Sequence, residues 1–267
     1  MFKIIIGVFL AFTAYAPGKV IKQKIVMNYQ NNNVLHSYNK TNYDKKGNRV
    51  SVVYYNAAHE IKNYSKFTYT DDEFVTITKD YTDKGDLEQT PFSKVNERND
   101  KTYSKRTYHL RTPVAEYIDQ YKYYYNKNLQ NTRTERFSGP TMDTIDWVYN
   151  YLYNDEGLLV FTDSKFQDEK RDETEYFYKK GVLKKSVSYD YMNDGVRLPN
   201  SFAKYYHDQS SRLIKKKVKS CHQWKSPRGF KKYIYKYSFD KEGMLATDEF
   251  IREDKSFSLE KISYIYY

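Results

Sequence analysis

The chain has 267 residues, of which 31 are tyrosine, 15 are phenylalanine and one is cysteine, and its formal net charge is +11. A single cysteine excludes an intramolecular disulfide, so strand pairing and burial alone must hold the fold. The hydrophobic content of 39% is low for a globular chain, because much of the apolar mass sits in tyrosine rings that also reach water.

The N-terminus resembles an export signal. Lys3 precedes an apolar run from Ile4 to Ala16, which ends at Pro17-Gly18. One positive charge and about a dozen apolar residues are typical of a secretory signal peptide, and the run is shorter than the roughly 20 residues of a membrane span. We predict a signal peptide at 1–18 and a single β-repeat domain at 19–267, in a secreted, periplasmic or cell-envelope protein. The alternative is a buried first strand.

A recurring turn flanked by tyrosines organises the rest of the chain. The clearest copies are Tyr149–Leu159 and Tyr235–Leu245, in which Asp or Asn opens the turn and Gly takes its fourth position. Gly there adopts the left-handed conformation that restarts the next strand. The predicted turn residues are Gly47, Gly85, Asn128, Gly157, Gly181, Ser211 and Gly243.

Strands and turns alternate about every 10–15 residues, which predicts an all-β antiparallel meander of roughly a dozen strands. The meander forms either an extended twisted sheet or a sheet curled on itself, and a loop near 138–141 is a candidate sub-boundary. Tyr233, Tyr235 and Tyr237 share one face of their strand, with Lys236 opposite. Such aromatic ladders form the core of a sheet or, if exposed, a stacking platform for sugars.

The repeated pattern aromatic-x-Tyr-Asp/Asn-x-x-Gly-x-Leu resembles the YD repeat of RHS-type proteins, which are bacterial secreted or surface β-repeat proteins. The best matches are Tyr151–Leu159 and Tyr237–Leu245, with partial copies from Tyr43 onwards. Large RHS proteins roll many repeats into a shell around a toxic domain, whereas this chain has few and irregular copies. The resemblance therefore implies a hairpin architecture and an envelope setting, without a toxin-delivery role.

A strongly basic stretch is the best candidate for a binding site. No acidic residue occurs between Gln209 and Phe239, and ten cations fall there. Such a patch attracts polyanions in a salt-dependent way, and interleaved aromatics add stacking. The predicted binding residues are Arg212, Lys215, Lys216, Lys217, Lys219, Trp224, Lys225, Arg228, Lys231, Lys232, Tyr233 and Tyr235. The alternative is an edge hairpin whose lysines prevent aggregation.

The expected partner is an anionic or carbohydrate polymer of the envelope rather than nucleic acid. A second hypothesis is a protein-interaction module, such as a toxin-neutralising or assembly protein, that pairs through a free edge at Tyr264–Tyr267. The third is an envelope hydrolase with paired carboxylates. The histidines lack metal-ligand spacing, and no phosphate loop or nucleophile elbow occurs, so we expect no enzyme, cofactor or metal.

Overall fold

The computed structural model describes residues 20–31, 34–69, 75–95, 100–109, 115–138, 144–192, 194–221 and 231–266. The predicted signal peptide lies outside these residues. The strands are β1 Ile21–Gln30, β2 Val34–Tyr43, β3 Arg49–Asn56, β4 Ile61–Tyr69, β5 Val75–Thr82, β6 Leu87–Val95, β7 Lys101–Tyr108, β8 Ala115–Tyr125, β9 Asn131–Ser138, β10 Ile145–Tyr153, β11 Leu159–Phe166, β12 Glu169–Lys179, β13 Val182–Tyr191, β14 Arg197–His207, β15 Leu213–Ser220, β16 Lys231–Phe239, β17 Leu245–Arg252 and β18 Phe257–Tyr266.

The 18 strands of the described residues belong to one antiparallel sheet that closes into a barrel. Each strand pairs with the next along the chain, and β18 pairs with β1 through contacts such as Val26 with Ile262. The all-β antiparallel meander is therefore confirmed, whereas the open, extended sheet is wrong, as is the estimate of a dozen strands. Within the described ranges, no helix is long and apolar enough to cross a membrane.

The predicted turn chemistry holds at most of its positions. Gly47, Gly157 and Gly243 have φ of 88°, 76° and 81°, and each donates its amide to the carbonyl of the Asp or Asn three residues earlier. The prediction for Asn128 is wrong by one residue: Leu129 has φ of 61° and donates to Asn126 in the same way. In this copy of the repeat, a leucine therefore takes the left-handed backbone conformation that L-residues avoid.

Tyrosine hydroxyls satisfy the backbone where these turns rejoin the sheet. The pairing register shifts at the first residue after such a turn, where a backbone carbonyl accepts a hydrogen bond from a side chain. A tyrosine on the following strand donates to that carbonyl, as Tyr153 does to Asn131 at 3.1 Å. The other donors and acceptors are Tyr69 to Arg49, Tyr123 to Lys101, Tyr178 to Leu159 and Tyr264 to Leu245, at 2.6–3.1 Å. This bond gives the repeat a structural reason for its tyrosines.

The two faces of the sheet differ in composition. Residues paired across strands share a face, and the pairs Tyr123–Thr134, Thr134–Tyr149 and Tyr149–Ser164 carry one face across four strands. We refer to this as the tyrosine face. The opposite face, the lysine face, follows pairs such as Lys66–Lys79 and Lys204–Lys217.

The tyrosine face lines the inside of the barrel. Burial raises the pKa of tyrosines along it, to about 12 for Tyr149 and Tyr264. The tyrosines with a pKa raised in this way are Tyr43, Tyr69, Tyr121, Tyr123, Tyr149, Tyr151, Tyr153, Tyr176, Tyr178, Tyr205, Tyr235, Tyr237, Tyr264 and Tyr266. In a closed sheet the concave face is the more enclosed one, so these side chains point inward.

The interior is wide rather than packed solid. Among the described residues, no large side chain is fully buried, whereas a filled core of this size contains many. The contacts of inner tyrosines run along one strand or to the next, as in the 6.5 Å separations between the rings of Tyr121, Tyr123 and Tyr125. Barrels of 16–18 strands are wide enough to leave an aqueous channel. The space that the tyrosine face surrounds is called the lumen from here on.

Candidate functional site

The basic stretch of the sequence is divided between the two faces of the barrel. Lys215, Lys217 and Lys219 lie on the lysine face of β15. Lys232 and Lys236 share that face on β16, paired with Lys219 and Lys215. Because side chains alternate along a strand, Lys216 points into the lumen.

The remaining predicted residues do not join this outer group. Tyr233 and Tyr235 lie on the tyrosine face, and Lys231 pairs with Ser220 on that same face. Arg212 is bound to Asp208 at 2.8 Å in the turn before β15. Trp224, Lys225 and Arg228 lie outside the described residues. The structure thus divides the predicted residues of β15 and β16 between the two faces of the sheet, and their binding role stays a prediction.

Two lysines that the sequence analysis missed complete the outer group. Lys185 on β13 pairs with Lys204 on β14, and Lys204 pairs with Lys217 on β15. The basic wall is defined here as Lys185, Lys204, Lys215, Lys217, Lys219, Lys232 and Lys236. Register neighbours on adjacent strands lie about 5 Å apart at Cβ, so the seven ammonium groups share one continuous surface.

Few counter-charges oppose the basic wall. Lys236 pairs with Glu249 at 2.9 Å. For the other six lysines, no carboxylate of the described residues lies within 4.0 Å of the ammonium group. Exposed rings hold several of them instead: the ammonium groups of Lys215 and Lys217 lie 5.9 and 5.5 Å from the Tyr206 ring centroid. Lys185 lies 5.0 Å from the Phe177 ring. These cation–π contacts orient the lysines without neutralising them.

The adjacent outer wall, at β9–β14, is ion-paired. Glu173, whose side chain is 5% exposed, accepts from Lys170 at 2.6 Å and also pairs with Arg197. Burial alone would raise the pKa of Glu173, but the hydrogen bonds from Lys170 and Tyr191 outweigh it and lower that pKa. Arg133 pairs with Glu135 at 2.7 Å on the same face. The outer lysines of the basic wall therefore differ from the cations of this neighbouring wall, which have carboxylate partners.

The C-terminal strand pairs with β17 through residues 257–261, for example Lys261 with Thr247, and with β1 through residues 259–266, as in Tyr264 with Lys24. Tyr264 and Tyr266 are thus paired with β1 on one side, and Tyr267 lies outside the described residues. A protein partner as such stays a prediction.

Comparisons with known proteins give only distant likenesses. No protein-family model matches the chain, and no curated protein matches it. Among solved structures, a porin-like protein from Bacteroides uniformis has 9% sequence identity and a TM-score of 0.48, covering 92% of this chain and 98% of that one. A porin-like protein from Bacteroides vulgatus has 10% identity and a TM-score of 0.42, covering 92% and 99%.

The TcdB2-TccC3 toxin complex matches with 11% identity and a TM-score of 0.31, covering 86% of this chain. The match spans only 15% of the toxin chain. The resemblance of the sequence to RHS-type repeats stays a prediction. At these TM-scores and identities, none of the likenesses assigns a function.

Proposed function

We propose that this protein is an envelope or secreted binding protein that holds an anionic polymer against the basic wall. The observation that carries the proposal is the set of six outward lysines on β13–β16 whose ammonium groups have no ion pair to a carboxylate in the described residues. The backbone N–H of one of them, Lys232, donates to the Glu253 carboxylate at 3.4 Å. Their charges add at short range, so a flexible polyanion gains several contacts at once. Phe177, Phe202 and Tyr206, which are 43%, 36% and 38% exposed, supply apolar contacts between the lysines.

The composition of the outer face supports a surface in water. Lysines project from the interior of many strands on this face, including Lys40, Lys66, Lys79, Lys105, Lys122, Lys204, Lys217 and Lys261. A Lys or Arg facing lipid at the bilayer midplane costs about 2–4 kcal/mol. The summed cost of several such residues would exceed the free energy of unfolding of an ordinary domain, which is roughly 5–15 kcal/mol. The proposal therefore places the lysine face against solvent and soluble polymer.

The experiment measures binding of the full-length chain to dextran sulfate, to alginate and to neutral dextran over a series of salt concentrations. The test variant replaces Lys204, Lys217 and Lys219 by Glu. We expect binding to the two anionic polymers and none to neutral dextran. The variant should bind more weakly. The plot of the logarithm of the binding constant against the logarithm of the salt concentration should become less steep by about 2–3, because three contacts between lysines and anionic groups of the polymer are lost.

A matched control changes the net charge equally on the far side of the barrel. It replaces Lys66, Lys79 and Lys94 by Glu on β4–β6, and circular dichroism confirms that both variants fold. Equal losses in the two variants would show that net charge, not the basic wall, attracts the polymer. Binding to neutral dextran alone would also overturn the proposal.

A further inference from the structure

Lys216 differs from two other inward-facing lysines, Lys24 and Lys101, in having no nearby carboxylate among the described residues. Burial lowers the pKa of three lysines on the tyrosine face: Lys24, Lys101 and Lys216. The charge of Glu260 partly compensates Lys24, and that of Asp119 partly compensates Lys101. Lys216 has no such compensating carboxylate among the described residues. Cations withdrawn from water are normally paired, and Lys216 is a half-buried lysine with no carboxylate partner among the described residues.

Two tyrosines fix the position of this ammonium group. It lies 5.5 Å from the ring centroid of Tyr205 and 5.6 Å from that of Tyr235. Both are its register partners, on β14 and β16. The Tyr205 hydroxyl is 3.1 Å from the Ser186 hydroxyl, which holds that ring in place. Lys216 is thereby held between two rings on the wall of the lumen.

A second unsatisfied polar group lies on the same wall. His207 follows Tyr205 by two residues on β14, so their Cα atoms are about 7 Å apart on one face. Its buried Nδ1 atom has no hydrogen-bond partner. Burial and then the positive charge of Lys184 lower the pKa of His207, so the imidazole is neutral near pH 7. A neutral imidazole offers one N–H donor.

We propose that Lys216 and His207, flanked by Tyr205 and Tyr235, form an anion-binding site inside the barrel for the carboxylate or phosphate group of a solute that enters the lumen. Lys216 supplies the charge, and the imidazole of His207 supplies a directional donor. The two tyrosine rings exclude water from the sides of the ammonium group, which strengthens its attraction for an oxyanion. This site is separate from the basic wall, which lies on the other face of the same strands.

Calorimetric titration of the full-length chain tests the site, with inorganic phosphate and glucuronate as probes and glucose as the neutral reference. The titrations use about 0.5 M salt, where a Debye length of about 4 Å suppresses binding to the exposed wall. We expect saturable binding of phosphate, glucuronate or both; phosphate alone or glucuronate alone identifies the source of the oxyanion. Lys216→Met should weaken it at least tenfold, whereas Lys122→Met, at an outward lysine of β8 that is not part of the basic wall, should leave it unchanged.

No binding of either anion, or equal losses in the two variants, would overturn the proposal. A second measurement does not depend on the folding of a variant. The imidazole ¹H–¹⁵N signals of His207, assigned with His207→Gln, should shift during the titration of the wild-type chain with the same saturation curve. Unmoved signals would contradict the site even if anions bind elsewhere on the protein.

Discussion

An inward carboxylate at the closing seam of the barrel makes the stability depend on pH. Asp248 on β17 lies opposite Glu260 on β18, and both belong to the tyrosine face. Burial first, and then the negative charge of Glu260, raise the pKa of Asp248 to about 6 from an ordinary value of 3.8. Replacing Asp248 by Asn keeps the shape of the side chain and removes the charge.

The direction of the pH dependence follows from whether the native or the unfolded state binds the proton of Asp248 more tightly. The native state keeps Asp248 protonated up to about pH 6, whereas the unfolded chain releases that proton near pH 4. The contribution of Asp248 to the free energy of unfolding is therefore complete below pH 4 and is lost as the pH rises to 6. The whole shift corresponds to about 3 kcal/mol. Asp248 is only half-buried, so solvent screening reduces the expected effect to about 1–2 kcal/mol.

Urea unfolding of the wild type and Asp248→Asn at a series of pH values from 4 to 8 measures this contribution. We expect the variant to gain about 1–2 kcal/mol in the free energy of unfolding near pH 7.5 and to match the wild type near pH 4. Asp83→Asn, which removes a carboxylate from an exposed turn, is the control and should show no such difference. A gain that is the same at both pH values, or a loss at pH 7.5, would refute the reasoning.

Three further substitutions test the turns, the tyrosine bonds and the ion pairs, each by chemical or thermal unfolding. Leu129→Gly should raise the free energy of unfolding by about 1 kcal/mol, because Leu129 is 65% exposed with φ of 61°; a loss would show that the leucine side chain stabilises the turn. Tyr153→Phe should lower it by about 0.5–1.5 kcal/mol through the lost bond to the Asn131 carbonyl, and no change would mean that water replaces the hydroxyl. Glu173→Ala should lower it by about 1–3 kcal/mol by leaving Lys170 without its carboxylate and Arg197 with Glu175 alone; Glu169→Ala, at an exposed pair with Arg171, should cost less.

Local features of the fold were predictable because they depend on neighbouring residues. Alternation places Tyr233, Tyr235 and Tyr237 on one face, and the Asp-x-x-Gly spacing locates turns such as the one at Gly243. Closure was not predictable, since the pairing of Val26 with Ile262 joins opposite ends of the chain and leaves no local pattern. The bond from Tyr153 to Asn131 likewise spans 22 residues and follows from the bulge, which the sequence does not reveal.

The candidate site was predictable only as a region of charge. A run of lysines from 215 to 219 identifies β15, but the sequence does not show that Lys185 and Lys204 lie beside it on β13 and β14. Adjacency in the barrel depends on register, and the register shifts by one residue at Ser188/Tyr189 and at Tyr206/His207. That Lys216 faces two rings and no carboxylate of the described residues depends on what neighbouring strands place opposite it, which no single strand determines.

The two proposed sites use the same strand in physically different ways. On the lysine face, Lys215, Lys217 and Lys219 are exposed or half-exposed, and each contributes a weak interaction that salt screens, so affinity grows with the number of contacts and suits a polymer. On the tyrosine face, Lys216 is isolated and shielded between two rings, so one charge acts over a short distance with little screening and suits a single oxyanion. Because adjacent residues of β15 point to opposite sides of the wall, replacing Lys216 or Lys217 changes one environment at a time. Salt dependence, rather than affinity, is therefore the property that separates the two kinds of binding.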